Sequence, residues 1–211
     1  MPNHTSNILT LTGNQSEVKR FIAAVDTGTD GNHLNFDGVV PLPSILRSYT
    51  SPSKIVSQSV LDEEKKLGIT SVGITQCTSD RLNSLYGANN WYDWSLRNWG
   101  TKWGAYDSGE WNLEVDEATG VLTATIYYNT AWSPATEFFL NASKLFPSLT
   151  FEHKFSDEGG SFVGTESIKN GFFIVYTVDV EWDSDEGIII REELGTYYPE
   201  DDVTEDGVVT N

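Results

Sequence analysis

Asp26-Thr27-Gly28 spells the signature of an aspartic protease, a chemistry that needs two carboxylates sharing one proton. Here the triplet occurs once and closes a helical segment instead of following a strand, so it reads as a turn. The same loop, through Asp30, offers oxygen ligands for a cation but lacks the terminal glutamate of a calcium loop. His4, His33 and His153 stand far apart, none in a two-histidine metal spacing, and read as hydrogen-bonding polar residues. The single cysteine, Cys77, excludes an internal disulfide and a cysteine metal cage. It follows an apolar run and reads as a buried, inert thiol. No phosphate-cradling glycine loop, hydrolase elbow or kinase set is present. These residues point to no catalytic centre, no metal site and no cofactor, and an enzyme is the least favoured class.

Two other stretches carry more. "WYDWSLRNWGTKW", residues 91–103, holds four of the seven tryptophans. As a helix over residues 90–99, it would place Trp91, Tyr92, Trp94, Leu96 and Trp99 on an arc of roughly 200°. Asp93 and Arg97 would form an i, i+4 pair on the remaining side. That pattern describes a helix buried on most of its circumference, ended at Gly100, with Trp103 folded back on the cluster. The alternative is a ligand site in which indoles stand exposed beside Arg97 or Lys102 and stack a nucleotide or similar small molecule. Its residues would be Trp91, Trp94, Arg97, Trp99, Lys102 and Trp103.

The second stretch is "VDVEWDSDEG". Asp179, Glu181, Asp183 and Asp185 alternate, so a continuing strand would set them on one face at ~6.6–7 Å intervals, like a line of phosphates. With Glu186 they would offer a partner-binding face to a basic, nucleic-acid-binding protein. A regular row spreads its oxygens apart and suits a metal poorly. The plainer alternative is a solvated edge that discourages strand aggregation, followed by a disordered tail.

Charge supports the second stretch. Residues 1–106 hold nine acids and nine bases, whereas residues 107–211 hold twenty-two acids against four bases, which accounts for the whole net charge of −18. Between Asp179 and Asp206 twelve acids face only Arg191. Direct nucleic-acid binding, which draws on Lys and Arg, is not expected, and a basic partner would be attracted. Without a basic-then-apolar leader or a long apolar run, the chain is expected in the cytoplasm and off the membrane. The oligomeric state stays open.

The elements that must position these residues follow from periodicity. "SNILTLTG" is a strand, and Val18, Phe21, Ile22 and Val25 give the next segment a helical stripe, with Asn14 and Glu17 as a capping box. "LNFDGVVPLP" reads as extended, and "VLDEEKKLG" as a short helix within an irregular stretch from 44 to 90. "WNLEVDEATGVLTATIYYNTAW" reads as two strands about Thr119-Gly120. Ser133 and Pro134 mark the start of a helix striped by Ala135, Phe138, Phe139, Ala142, Leu145 and Phe146. "LTFEHKFSD" and "GFFIVYTVDVEW" are further strands, with "EGGSFVG" as turn and short edge between them. The order predicts an α+β fold: a ferredoxin-like split β-α-β sandwich with a mostly antiparallel sheet, helices on one face and a helical, Trp-rich insertion. The domain would span residues 1–178, with the insertion at about 44–106, and residues 179–211 would form an acidic C-terminal extension.

Five segments in order, "MPNHTSNILTLTG", "VVPLP", "WYDWSLRNWGTKWGAYD", "TAWSPATEFFLNASKLFPSLTF" and "EGGSFVG", resemble the YubB ferredoxin-like domain family of phages, plasmids and other mobile elements. The resemblance implies the fold and a mobile-element setting in which proteins that manage host defences are common neighbours. It supplies no catalytic residues and no iron–sulfur cluster, which one cysteine could not hold. Together with the charge, it leads to an expected function: a mobile-element, phage-type accessory binding protein that counters or modulates a host system through its acidic surface, as a DNA mimic. The ligand-binding module is the alternative.

Overall fold

The computed structural model describes residues 3–29, 31–69, 73–178 and 180–196. Strand β1 (His4–Asn14) runs directly into helix α1 (Gln15–Val25). Asn14 ends the strand and caps the helix, its Oδ1 accepting from Ser16 N at 2.9 Å. The expected capping box is therefore half formed, because Glu17 turns to Arg20 instead. Val18, Phe21 and Val25 are buried, as their spacing requires.

"LNFDGVVPLP" is not a strand. It coils through a 3-10 turn at Phe36–Gly38, in which Asn35 Oδ1 accepts from Asp37 N. Gly38 lies so close to α1 that a Cβ would sit 1.8 Å from the Ala24 carbonyl oxygen. A second 3-10 turn (Ser44–Ser48) follows, then α2 (Gln58–Lys66), α3 (Gln76–Tyr86) and α4 (Trp91–Asn98). The sequence pattern missed α3, which Thr75 caps and Gly87 ends. Cys77 lies on it and is exposed, which corrects the expected buried thiol.

Strands β2 (Asn112–Val115) and β3 (Val121–Ala131) form the expected hairpin, and α5 spans Thr136–Leu145. Ser133 does not cap α5; its hydroxyl donates to the Gly100 carbonyl, and Leu145 is exposed. Three strands complete the sheet, β4 (Thr150–Asp157), β5 (Val163–Lys169) and β6 (Phe172–Val178), followed by α6 (Asp185–Glu193).

The sheet order is β2-β3-β1-β4-β5-β6, antiparallel throughout. Because β1 is antiparallel to both neighbours, β3 and β4 run parallel on either side of it, joined by α5. Likewise β1 and β2 run parallel on either side of β3. Two interleaved split β-α-β units result, the ferredoxin-like arrangement, with a β5–β6 hairpin added on the β4 side. Leu9 and Leu11 of β1, Ile126 of β3 and Phe151 of β4 face the helices, where Phe21 meets Phe146 and Phe151 edge-on. Helix α6 contacts β4 and β5. Its Glu193 pairs with Lys154, on the sheet face opposite α1 and α5. No described helix is long and apolar enough to cross a membrane.

Candidate functional site

Helix α4 is specified locally. Asn90 Oδ1 accepts from Asp93 N at 3.0 Å, and Gly100 at φ +80° turns the chain against the start of α5. Trp94 and Trp99 are core residues, 6% and 4% exposed, packed edge-on at 5.4 Å. Trp99 Nε1 donates to the Val40 carbonyl at 2.8 Å, which satisfies the indole. The expected Asp93–Arg97 pair is replaced: Asp93 accepts from Asn90 Nδ2 at 2.7 Å, and the Arg97 guanidinium lies over Gly87 at the end of α3. There it faces the carbonyl end of a helix, a favourable place for a cation.

The other indoles differ. Trp91 is half-buried, and Trp103 is 36% exposed instead of folding fully into the cluster. Both line an open cleft of about 580 Å³ together with Trp99, Phe36, Arg47 and Tyr106. Trp94, Arg97 and Lys102 lie outside its lining. Thus the structure brings together three of the six expected ligand residues, Trp91, Trp99 and Trp103. It adds a cation the sequence pattern did not single out, Arg47, held by Asp37, whose other oxygen accepts from Leu42 N at 2.8 Å.

Lys102 serves a neighbouring surface. Its ammonium stands 4.7 Å from the Trp103 ring and 4.3 Å from Trp132, which Tyr92 meets edge-on at 6.3 Å. Trp132 has φ +74° and is 43% exposed, a strained backbone for a bulky side chain. At the cleft rim, burial and the charges of Asp107 and Glu158 push the Tyr106 phenol up to about 12. Its hydroxyl donates to the Thr130 carbonyl at 3.1 Å and lies 2.7 Å from His4 Nδ1. Chemically the cleft can stack a planar group and pair one anionic group with Arg47.

A second constellation lies inside the sheet–helix layer. His153 on β4 is fully buried, its Nδ1 2.9 Å from Glu166 Oε1 on β5. Its Nε2 is 2.8 Å from the Tyr128 hydroxyl on β3 and 3.0 Å from Asn7 Oδ1 on β1. Thr136 at the start of α5 donates to Glu166 Oε2 at 3.0 Å. Burial, then the Glu166 charge, holds the Tyr128 phenol well above its ordinary range. None of the cleft-lining residues belongs to this network, so it acts as a polar clamp on four strands. His33 and Asp26 also pair, at 2.9 Å, within the turn expected for Asp26-Thr27-Gly28.

The acidic row is arranged differently from expectation. Asp179 lies outside the described residues. Strand β6 ends at Val178, Glu181 and Asp183 occupy the following turn, and Asp185 and Glu186 open α6. Ser184 is the reason: its Oγ accepts from Gly187 N at 3.1 Å and starts a helix, whose first turn favours acids. Glu181, Asp183, Asp185 and Glu186 are nevertheless all exposed. Among the described residues no group of three or more His, Cys, Asp or Glu is placed to hold a metal.

The C-terminal part of the chain, from β2 through β6, is also recognisable by comparison. Residues 110–200 match a family model described as the ferredoxin-like domain in Api92-like protein. The Api92-like match runs from just before β2 to beyond α6, so it takes in Tyr128, Trp132, His153 and Glu166 but not the 91–103 segment. The crystal structure of a protein api92 from Yersinia pseudotuberculosis is similar at 11% identity and a TM-score of 0.43, over 85% of this chain and 99% of that one. No curated protein matches the chain.

Proposed function

We propose that the chain is a small-ligand-binding module whose aromatic cleft takes a planar, anionic molecule of the nucleotide class. One observation carries the reading: an open cleft of about 580 Å³ whose lining includes both the partly exposed Trp103 and the half-exposed guanidinium of Arg47. That volume falls within the range typical of small-molecule sites. The indoles supply stacking that tolerates different rings, and Arg47 supplies a planar fork for a phosphate or carboxylate. The test is quenching of tryptophan fluorescence by a panel of nucleotides, in the native protein and in Trp103→Ala and Arg47→Gln. Trp103→Ala is expected to weaken binding by about 1–3 kcal/mol, roughly 5- to 150-fold. A panel that binds nowhere, or binds Trp103→Ala unchanged, overturns the reading.

A second reading is favoured by charge. The exposed Glu181, Asp183, Asp185 and Glu186 sit in the half that holds twenty-two acids against four bases. On this reading the chain is a phage-type accessory protein of the YubB-like kind, acting in the host cytoplasm. It counters a host system by presenting its acids to a basic, nucleic-acid-binding protein as a DNA mimic. Its support is the acidic composition and the five segments that resemble the mobile-element family. Neutralising Glu181, Asp183, Asp185 and Glu186 to Gln or Asn should abolish salt-sensitive capture of such a partner; capture that persists removes this reading and leaves the cleft untouched.

A further inference from the structure

The two edges of the sheet are built in opposite ways. Strand β2 is four residues long and carries Glu114, with Asp116 just beyond it. Short length and charge are the usual protection of an edge against pairing with another chain. Strand β6, "FFIVYTV", has seven residues and no charge or proline, and no described strand pairs with its outer side. It is apolar on both faces. Phe172 is 72% exposed, Tyr176 60% and Ile174 58%, with Phe173 and Val175 also open. A register shift against Ser167/Ile168 lets Phe173 and Tyr176 share one face, their rings 4.4 Å apart. On its inner side β6 pairs antiparallel with β5.

We infer that β6 is a self-association edge: two copies pair their β6 strands antiparallel about a two-fold axis and merge their six-stranded sheets into one. Area favours a second copy as the occupant. The five open side chains of Phe172 to Tyr176 expose on the order of 500 Å² per copy, taking ~200 Å² for each whole aromatic side chain. Both copies together expose about 1,000 Å² there, the scale of a specific interface; edge pairing covers the flanks that meet the neighbouring strand, and main-chain hydrogen bonds along the strand supply the rest of the contact.

Charge favours the same occupant and sets the direction. At the start of β6 stand Lys169 and Lys144, the latter packed along Gly171. Beyond its end comes the exposed Glu181. An antiparallel pair brings the lysine end of each copy to the acidic end of the other, twice over, whereas a parallel pair would set like charges together. Each copy carries −18 overall and repels the other as a whole, so association belongs at physiological salt, where the Debye length is about 8 Å.

The test is sedimentation equilibrium of the full chain at physiological salt, from low micromolar to the highest soluble concentration. A monomer–dimer equilibrium is expected, and Ile174→Lys should weaken it by more than about tenfold, since the new charge would be buried unpaired. Ile174 is exposed in the monomer, so the variant should keep the native circular dichroism and melting curve. Lys169→Glu should also weaken the dimer, and Lys169→Glu combined with Glu181→Lys should restore it. A chain that stays monomeric at every concentration overturns the inference. So does a dimer indifferent to Ile174→Lys, or growth into open filaments, which a closed two-fold contact does not allow. Each of these results leaves the ligand-binding proposal standing, because the cleft shares no residue with β6.

Discussion

Replacing Glu166 by leucine should be among the most damaging single changes in the molecule, and its cost should shrink when His153 is replaced as well. Glu166 is 1% exposed and His153 fully buried, with Phe139 and Phe155 packed on the imidazole. Glu166→Leu leaves His153 Nδ1 without its acceptor and removes the partner of Thr136 Oγ1. Each buried polar group stranded in this way costs about 1–3 kcal/mol. His153→Leu strands Glu166 in the same apolar surroundings and should fall in the same range. The double variant removes both sides, so its loss should be smaller than the sum of the singles by about 1–3 kcal/mol. Urea titration followed by tryptophan fluorescence measures all three, provided the slope of stability against denaturant stays constant. Single variants within about 1 kcal/mol of the native protein, or a coupling below about 0.5 kcal/mol, would refute the view that this network clamps the sheet.

The alkaline limb of stability should carry the mark of Tyr128. Its phenol is held above the ordinary value of about 10, so the unfolded chain loses this proton first and the native state binds more protons. Stability from this group is complete below about pH 10 and is lost as pH rises towards the native value. Tyr128→Phe should flatten the decline in urea midpoint above pH 10; an unchanged slope would sink the assignment. Gly38→Ala should destabilise by about 1–3 kcal/mol or more, since its Cβ would meet the Ala24 carbonyl oxygen at 1.8 Å. A melting temperature equal to the native one would show that α1 and the 3-10 turn can separate freely.

Much of the fold could be read from local chemistry. Asn14 and the stripe of Val18, Phe21 and Val25 define α1, and the Thr119-Gly120 turn between alternating runs defines the β2–β3 hairpin. The Trp91–Trp99 spacing correctly made Trp94 and Trp99 core residues. Errors arose where a neighbour outweighed the local pattern. "LNFDGVVPLP" looked extended, yet it coils through the Phe36–Gly38 turn, which packs Gly38 against α1. "EGGSFVG" supplies the expected turn, yet what looked like a short edge is the start of β5, which pairs with both β4 and β6 as a full interior strand. The alternating acids looked like a strand face, yet Ser184 caps a helix there.

By itself, then, the sequence determined α1, the β2–β3 hairpin, the acidic half and the aromatic helix, because those depend on periodicity and composition along a few turns of chain. Only the tertiary structure decided which indoles stay open, that Arg47 joins them, and that Asn7, Tyr128, His153 and Glu166 meet. Those contacts depend on strand register and sheet order, which bring residues 146 apart in sequence within hydrogen-bonding distance. No spacing along the chain encodes them. The exposure of β6 is of the same kind: an apolar run reads alike in an interior strand and at an edge, and only the sheet order places this one at the end.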